Sequence, residues 1–591
     1  MNRWVTTVCV LNCLCLASWQ ISSRHMLAAA EPKPDRPAFE LKYRWVFTMT
    51  NLASDEALQK LFALIERAKR AGYNGVLVCD SKFAKPQLQT KNYSRNVRKL
   101  RETCTQQGMT LAVGVCPMGY AAELLAADPN LAEGMPVRQA TFAVRAGQLV
   151  PVDETAKLVN GSLERWKGDV PAGWHVDKPG MVSFRDDRVT YQGKTSLRQD
   201  HTAAGRAGPV RLIQKIKVEP WHYYHLSVVA KTENCTSSDF RIFAVAGDPA
   251  QGIPLNWQPP DIRPTMDWTR LHATFCSLNN TEVGVYLGSY NARRGTIWWS
   301  DVQLEPGGFV NVIRRESLPL TVTSLDGTTT YTEGTDFATI VDPKLGHDPN
   351  PGYFSYWHDP PAVTVPTGSR LQDGQRVLAS YHVATLVGKS HQINCCFSEP
   401  KVYELLDKHI QWVQEVVQPD VYLLSHDEIR HCGWDESCVR RQLTCGQILA
   451  DNVKQCVDIV RRHAPLQPIM TWNDMFDPFH NAKADGWFYL AKGSGPWSGS
   501  WEGLPAQVSV VNWLHNNQDS LQFFAGRGHA QILAGYYDAD PQRIVEWLET
   551  ASRVRGVSGV MYTTWVNDYS QLEAFLQHAQ SFAGQRAKAG Q

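Results

Sequence analysis

The stretch VYLLSHDE, Val421 to Glu428, reads as a short apolar strand that ends in four polar residues, Ser425, His426, Asp427 and Glu428. The same pattern recurs along the chain. RWVFTMT (Arg44 to Thr50), GVLVCD (Gly75 to Asp80) and LAVGVC (Leu111 to Cys116) precede it. IMTWND (Ile469 to Asp474), VSVVNW (Val508 to Trp513), AQILAGYYD (Ala530 to Asp538) and SGVMYTTW (Ser558 to Trp565) follow. Amphipathic helical segments alternate with these strands. The first is opened by Ser54 as N-cap and stopped by Gly72, the second spans Val97 to Gln107 before Gly108, a third runs from Glu399 to Val417, and a cysteine-bearing one reaches Arg462. Eight strands alternating with helices predict an α/β chain folded as a (β/α)8 TIM barrel.

The alternation stops at about Val137 and resumes after about Val383, and the Gly- and Pro-punctuated, period-2 sequence between them predicts an all-β insertion after the third barrel strand. Its first part carries LVNGSLERWKGDVPAGW (Leu158 to Trp174), GKTSLR (Gly193 to Arg198), VRLIQKIKVEPWHYYHLSVVAKTE (Val210 to Glu233) and IWWSDVQLEP (Ile297 to Pro306). In that order these motifs resemble the galactose-binding-like jelly-roll sandwich of carbohydrate-binding module family 4/9. A small β domain follows, with YTEGTDFATIVDP and DGQRVLASYHV. Its last strand, Val377 to Val383, follows a DG turn in a hairpin context and is assigned here and not to the barrel, which keeps the barrel count at eight. The expected organisation is leader 1–30, barrel 38–150, sandwich 155–308, small β domain 309–384 and barrel 385–585.

At 591 residues the chain exceeds one ordinary domain, and 43% hydrophobic with 20% charged residues supply an ordinary globular core. A formal net charge of +1 argues against a polyanion-binding surface, so nucleic acid is not an expected partner. Twenty Trp and 20 Tyr fit a protein that stacks flat rings against sugars as well as filling its core. Arg3, the apolar run Val5 to Ala17 and the small residues Ala28 to Ala30 read as a cleaved export signal, with EPKPDRP as spacer. Cys13 and Cys15 lack a lipobox, and no later segment has the length of a membrane span, so a soluble secreted or periplasmic protein is expected.

Of 14 cysteines, Cys9, Cys13 and Cys15 lie in the leader, leaving 11. Cys432, Cys438, Cys445 and Cys456 are spaced without the C-x-x-C knuckles of structural zinc sites. Disulfides or buried thiols are expected there, and no metal or cofactor.

Barrel active sites lie at the carboxyl ends of the strands. There the sequence places Asp427-Glu428, Trp472-Asn473-Asp474, Asn512-Trp513, Tyr536-Tyr537-Asp538 and Tyr562 to Trp565. Adjacent carboxyls repel and point to opposite sides, so their pKa values should separate into a proton donor and a charged neighbour, the division that glycoside cleavage requires. The residues also admit plainer roles. Asp427 and Glu428 could cap the next helix, Arg430 could form a salt bridge, His426 could be a core residue, and Asp474 and Asp477 could cap a helix or hold a cation. Trp257 and Trp268 could be stacking platforms of the sandwich or part of its core.

These strand ends resemble those of glycoside hydrolase family 20, the β-N-acetylhexosaminidases: Asp427-Glu428 match the acid pair, Trp472 and Trp513 the next two tryptophans, Tyr536 and Asp538 the Tyr-x-Asp, and Trp565 the last tryptophan. The resemblance implies substrate-assisted cleavage. Glu428 would be general acid and then base, Asp427 would orient the acetamido group, Tyr536 would hydrogen-bond its oxygen, and the tryptophans would wall the pocket. His426, Arg430, Trp472, Asp474, Trp513, Tyr536, Asp538 and Trp565 are the expected substrate contacts. Departures at Ser425, His426 and Asn567, at Thr48 and Asn51, and at Cys116 to Met118 point to a different sugar or an endo-acting cleft. The expected partner is an oligo- or polysaccharide. Two alternatives stand beside this reading: a glycosidase that uses Glu428 with Asp474 or Glu502, and a glycan-binding protein without catalysis.

Overall fold

A computed structural model describes residues 40–85, 89–202, 208–236, 240–247, 252–290, 292–388, 392–484 and 495–589; the leader discussed above lies outside them. Eight parallel strands close into a barrel in chain order: Tyr43–Met49, Gly75–Cys79, Thr110–Val115, Val421–Leu424, Ile469–Trp472, Ser509–Asn512, Gln531–Tyr536 and Val557–Thr563. The first strand pairs with the second at Trp45↔Gly75 and with the last at Tyr43↔Gly559, which completes the ring.

Strand alternation sorts the side chains into two cores. Trp45, Phe47, Leu423, Met470 and Trp472 are among those filling the barrel interior. Val46, Val76, Tyr422 and Leu424 face the surrounding helices. Gly75 is glycine because the Trp45 indole lies against it: a Cβ there would sit 2.4 Å from the indole nitrogen.

The helix Asp55–Ala71 forms where capping predicts it, with Ser54 accepting from the Ala57 amide and Gly72 closing the end at φ 101°. The second helix begins earlier than the sequence suggested, at Lys91, because Thr90 caps it by accepting from the Tyr93 amide. Pro400–Trp412 runs on as a π-helical turn, Val413–Val417, and Cys445–His463 opens with a Thr444/Gln447 capping box. Between Trp472 and Ser509 the described residues hold the short 3-10 turns Asp474–Phe476 and Ser500–Gly503.

The insertion contains three five-stranded antiparallel sheets. Two of them, built around Tyr223–Glu233 and Glu282–Ser289, face each other across a core that includes Leu197, Tyr224, Phe240 and Trp299. The third corrects a boundary. Gly134–Arg145 and Gln148–Pro151, counted above with barrel residues 38–150, instead form a sheet with Arg376–Ala384 and Thr321–Ser324. Phe142 lies opposite Val377, and the two stacked rings of Phe142 and Phe309 anchor the core of this sheet. The small sheet therefore brackets the sandwich in the chain, Gly134–Arg145 before it pairing antiparallel with Arg376–Ala384 after it.

The eleven cysteines among the described residues are all free thiols, and all but Cys79 are buried. No helix among the described residues is long and apolar enough to cross a membrane.

Candidate functional site

The fourth strand ends at Leu424, but its path is held further: the Ser425 amide donates to Val115 O, and Ser425 O accepts from the Met118 amide. The loop after the third strand then lies directly on the acid pair. A Cβ on Gly119 would come within 1.8 Å of the Asp427 carbonyl oxygen, so only glycine fits. Asp427 lines a cavity of about 490 Å3 together with Phe47, Tyr120, Ser425, Trp472 and Trp565. Burial, and then the neighbouring charges of Asp474 and Glu428, push its carboxyl up to about 8.

Glu428 is turned aside by a left-handed backbone, φ 50°. Its Oε1 accepts from the Arg430 guanidinium at 2.9 Å, and its Oε2 accepts from the Tyr120 hydroxyl and, at 3.4 Å, from Gln392. Arg430 is buried, whereas the Glu428 side chain is 31% exposed, so the ion pair leaves the carboxylate reachable. The two acids do separate in environment. The carboxyl that burial raises is that of Asp427.

Asp474 joins them from the fifth strand. Its Oδ2 accepts from the Glu428 amide at 2.9 Å and from Asn481 at 2.8 Å, and its Oδ1 accepts from the Trp513 indole at 3.2 Å. Burial raises its carboxyl to about 6. With both oxygens engaged by protein donors, Asp474 holds three strand ends in register.

Aromatic rings wall the mouth. Trp472 meets Phe47 at 6.0 Å and Trp565 at 5.9 Å between ring centroids. Tyr537 stacks on Trp513 at 5.8 Å and meets Trp565 edge-on at 5.4 Å. This wall contains Tyr537 and not Tyr536, the residue expected from the Tyr-x-Asp match. Tyr536 packs in the outer core against Tyr562 and donates to Asp568 at 2.8 Å. Tyr536, Tyr537 and Asp538 all have left-handed φ, 69°, 54° and 55°, which breaks strand alternation at this end. Asp538 accepts from Thr564 Oγ1 at 2.5 Å and from the Trp565 amide at 2.7 Å, so it positions Trp565.

Other expected residues lie elsewhere. His426 is fully buried and bonded to Asn452 at 3.0 Å, and burial lowers its imidazole to about 4. Glu502 pairs with Arg527 on the exterior, away from the cavity lining. Asp477 accepts from Asn473 at 2.7 Å and from the Phe479 amide at 2.8 Å, which is a turn-holding role. In the sandwich, Trp257 stacks on Phe243 and Trp268 tilts against Tyr191. Tyr120, Gln392 and Glu123 were not anticipated. Glu123 lines the cavity and burial raises it to about 7. These residues lie on loops and a short turn outside the strands, where no periodic signal marks them.

No family model matches this sequence, and no curated protein does. Among solved structures, the chain is similar to the enzymatically active domain of tailspike protein 4 from bacteriophage CBA120, at 15% identity over 26% of this chain and 21% of that one, TM-score 0.20. It is also similar to the xylan-binding CBM22-1 domain from Paenibacillus barcinonensis, at 17% identity over 24% of this chain and 90% of that one, TM-score 0.19. A family 16 carbohydrate-binding module matches at 14% identity over 22% and 89%, TM-score 0.17.

Proposed function

We propose that the barrel hydrolyses a glycosidic bond of an N-acetylhexosamine-type or related glycan at the mouth that Asp427, Trp472 and Trp565 line, acting outside the cytoplasm. One observation carries this reading. Two adjacent carboxyls at a strand end differ in surroundings, Asp427 raised to about 8 and Glu428 ion-paired with Arg430. At neutral pH Asp427 keeps its proton and can pass it to the leaving glycosidic oxygen, while Glu428 presents negative charge toward the positive anomeric centre. The roles are the reverse of those the family 20 resemblance implies.

Both oxygens of Asp474 accept from protein donors, and Glu502 pairs outside the cavity, so neither supports the second-carboxylate alternative. Attack by the substrate's own acetamido oxygen, with Tyr537 in place of Tyr536 as its hydrogen-bonding neighbour, fits the remaining groups best. A glycan-binding barrel without turnover is the second reading, favoured by the Glu428–Arg430 ion pair.

The test is a screen of chromogenic glycosides, N-acetylated and not, with the wild type beside Asp427→Asn and Glu428→Gln. The expected result is hydrolysis of the acetylated series, with a loss of about 100-fold or more in kcat for Asp427→Asn and binding retained. A wild type that binds glycans and cleaves none of them overturns the hydrolase reading.

A further inference from the structure

Behind the loop that carries Arg430, four acidic side chains from three separate segments converge. Glu133, Cys396, Asp435 and Cys438 are each at most 2% exposed, and their ligand-type atoms all lie within 4.8 Å of one another. The Cys396 and Cys438 sulfurs are 3.6 Å apart, well beyond the about 2.0 Å of a disulfide bond. Cys396 Sγ lies 3.4 Å from Asp435 Oδ1, and Cys438 Sγ lies 3.5 Å from Glu133 Oε2.

Three of the six separations among these atoms fit a tetrahedron about a small cation. With metal–sulfur bonds of about 2.3 Å and metal–oxygen bonds of about 2.0 Å, tetrahedral angles put sulfurs about 3.8 Å apart and sulfur and oxygen about 3.5 Å apart. Arg315 pairs with Asp435 and with Glu399 at the edge of the cluster. The outer oxygens are already oriented. Glu133 Oε1 accepts from the Trp434 amide at 2.8 Å and Asp435 Oδ2 accepts from Arg315, while Glu133 Oε2 and Asp435 Oδ1 face the sulfurs, the latter also accepting from the Cys438 amide at 3.1 Å.

We propose that Glu133, Cys396, Asp435 and Cys438 form a closed structural site for a thiolate-binding divalent cation, with zinc the best fit. Two sulfurs and two oxygens suit a borderline-soft, tetrahedral ion, and four protein ligands leave no open position for water or substrate. Such an ion joins the segment after the third barrel strand, the segment entering the helix Pro400–Trp412, and the loop that follows Glu428. Next to the ligand Cys396, Asn394 accepts from the Arg430 and His431 amides at 3.3 and 3.0 Å, so the cation fixes the frame that aims Arg430 at Glu428. The site is independent of what the barrel cleaves or binds.

The test is elemental analysis of the full chain purified without chelator. About one zinc per chain is expected in the wild type and in Cys104→Ser, and under about a tenth of that in Cys396→Ser/Cys438→Ser. Because the double variant can fail to fold, the wild type is also stripped with a chelator and refilled with cobalt(II) alone. Visible d–d bands with thiolate-to-cobalt charge transfer, together with a rise in Tm on refilling, support the site. Wild-type protein that takes up neither zinc nor cobalt(II), or whose mass shows Cys396 bridged to Cys438, overturns it.

Discussion

The Glu428 amide donates to Asp474 Oδ2 at 2.9 Å, tying the end of the fourth barrel strand to that of the fifth. Glu428 has left the strand at φ 50°, so its N–H has no ladder partner, and the buried carboxylate takes the place of one. The same carboxylate receives Trp513 and Asn481. Asp474→Ala should therefore leave several buried donors unsatisfied and lower the unfolding free energy by about 3 kcal/mol in chemical denaturation. Asp474→Asn keeps the shape and should cost less.

The Asp427 carboxyl is raised to about 8 in the folded chain, against about 3.9 for an unperturbed aspartate. The folded state thus holds the proton more tightly, and this contribution to stability is present below about pH 4 and lost as pH rises through about 8. Asp427→Asn removes the titration. Relative to wild type, its unfolding free energy should gain about 3 kcal/mol at pH 8 compared with pH 5, read by chemical denaturation at the two pH values.

If Asp427 is the proton donor, kcat should fall with an alkaline limb near pH 8, where the donor loses its proton. The matching acid limb, near pH 6, belongs to Asp474, whose charged form accepts the Glu428 and Trp513 donors. A pH–rate profile flat across pH 7 to 9 contradicts the assignment of Asp427.

The adjacent tyrosines should separate cleanly. Tyr537→Ala removes a ring stacked on Trp513 at the mouth and should weaken glycan binding about tenfold, read by affinity electrophoresis. Tyr536→Phe removes only a bond to Asp568 in the outer layer and should leave binding unchanged.

Gly119→Ala introduces a Cβ 1.8 Å from the Asp427 carbonyl oxygen. Backbone on one side or the other must move, so the strand-four terminus should shift. The expected cost is about 1–3 kcal/mol in stability together with loss of any cavity function, measured by denaturation and by the same binding assay.

Much of the architecture was legible because burial imposes simple periods. Short apolar runs separated by capped helices produced eight strands, and the interior places of Trp45, Phe47 and Trp472 follow from alternation. Misreadings came where the local pattern has two solutions. The strand Gly134–Arg145 looks like a continuation of the barrel until its partner Arg376–Ala384 is seen, more than two hundred residues later in the chain. Directly after Trp472 the chain takes a tight turn in which the side chains of Asn473 and Asp477 engage backbone and side-chain groups.

The sequence by itself determined that eight strands would form, which faces would be apolar, and that acids and aromatic rings would gather at the carboxyl ends. Only the tertiary structure decided that burial raises the Asp427 carboxyl while Glu428 lies against Arg430, that Tyr537 and not Tyr536 stacks on Trp513, and that Glu133 meets Cys438 across 305 residues of chain. The physical reason is the range of each effect. Alternation and capping act over a few residues and are written locally, whereas side-chain direction beyond a left-handed backbone, desolvation and the field of neighbouring charges come from whichever distant segments pack alongside.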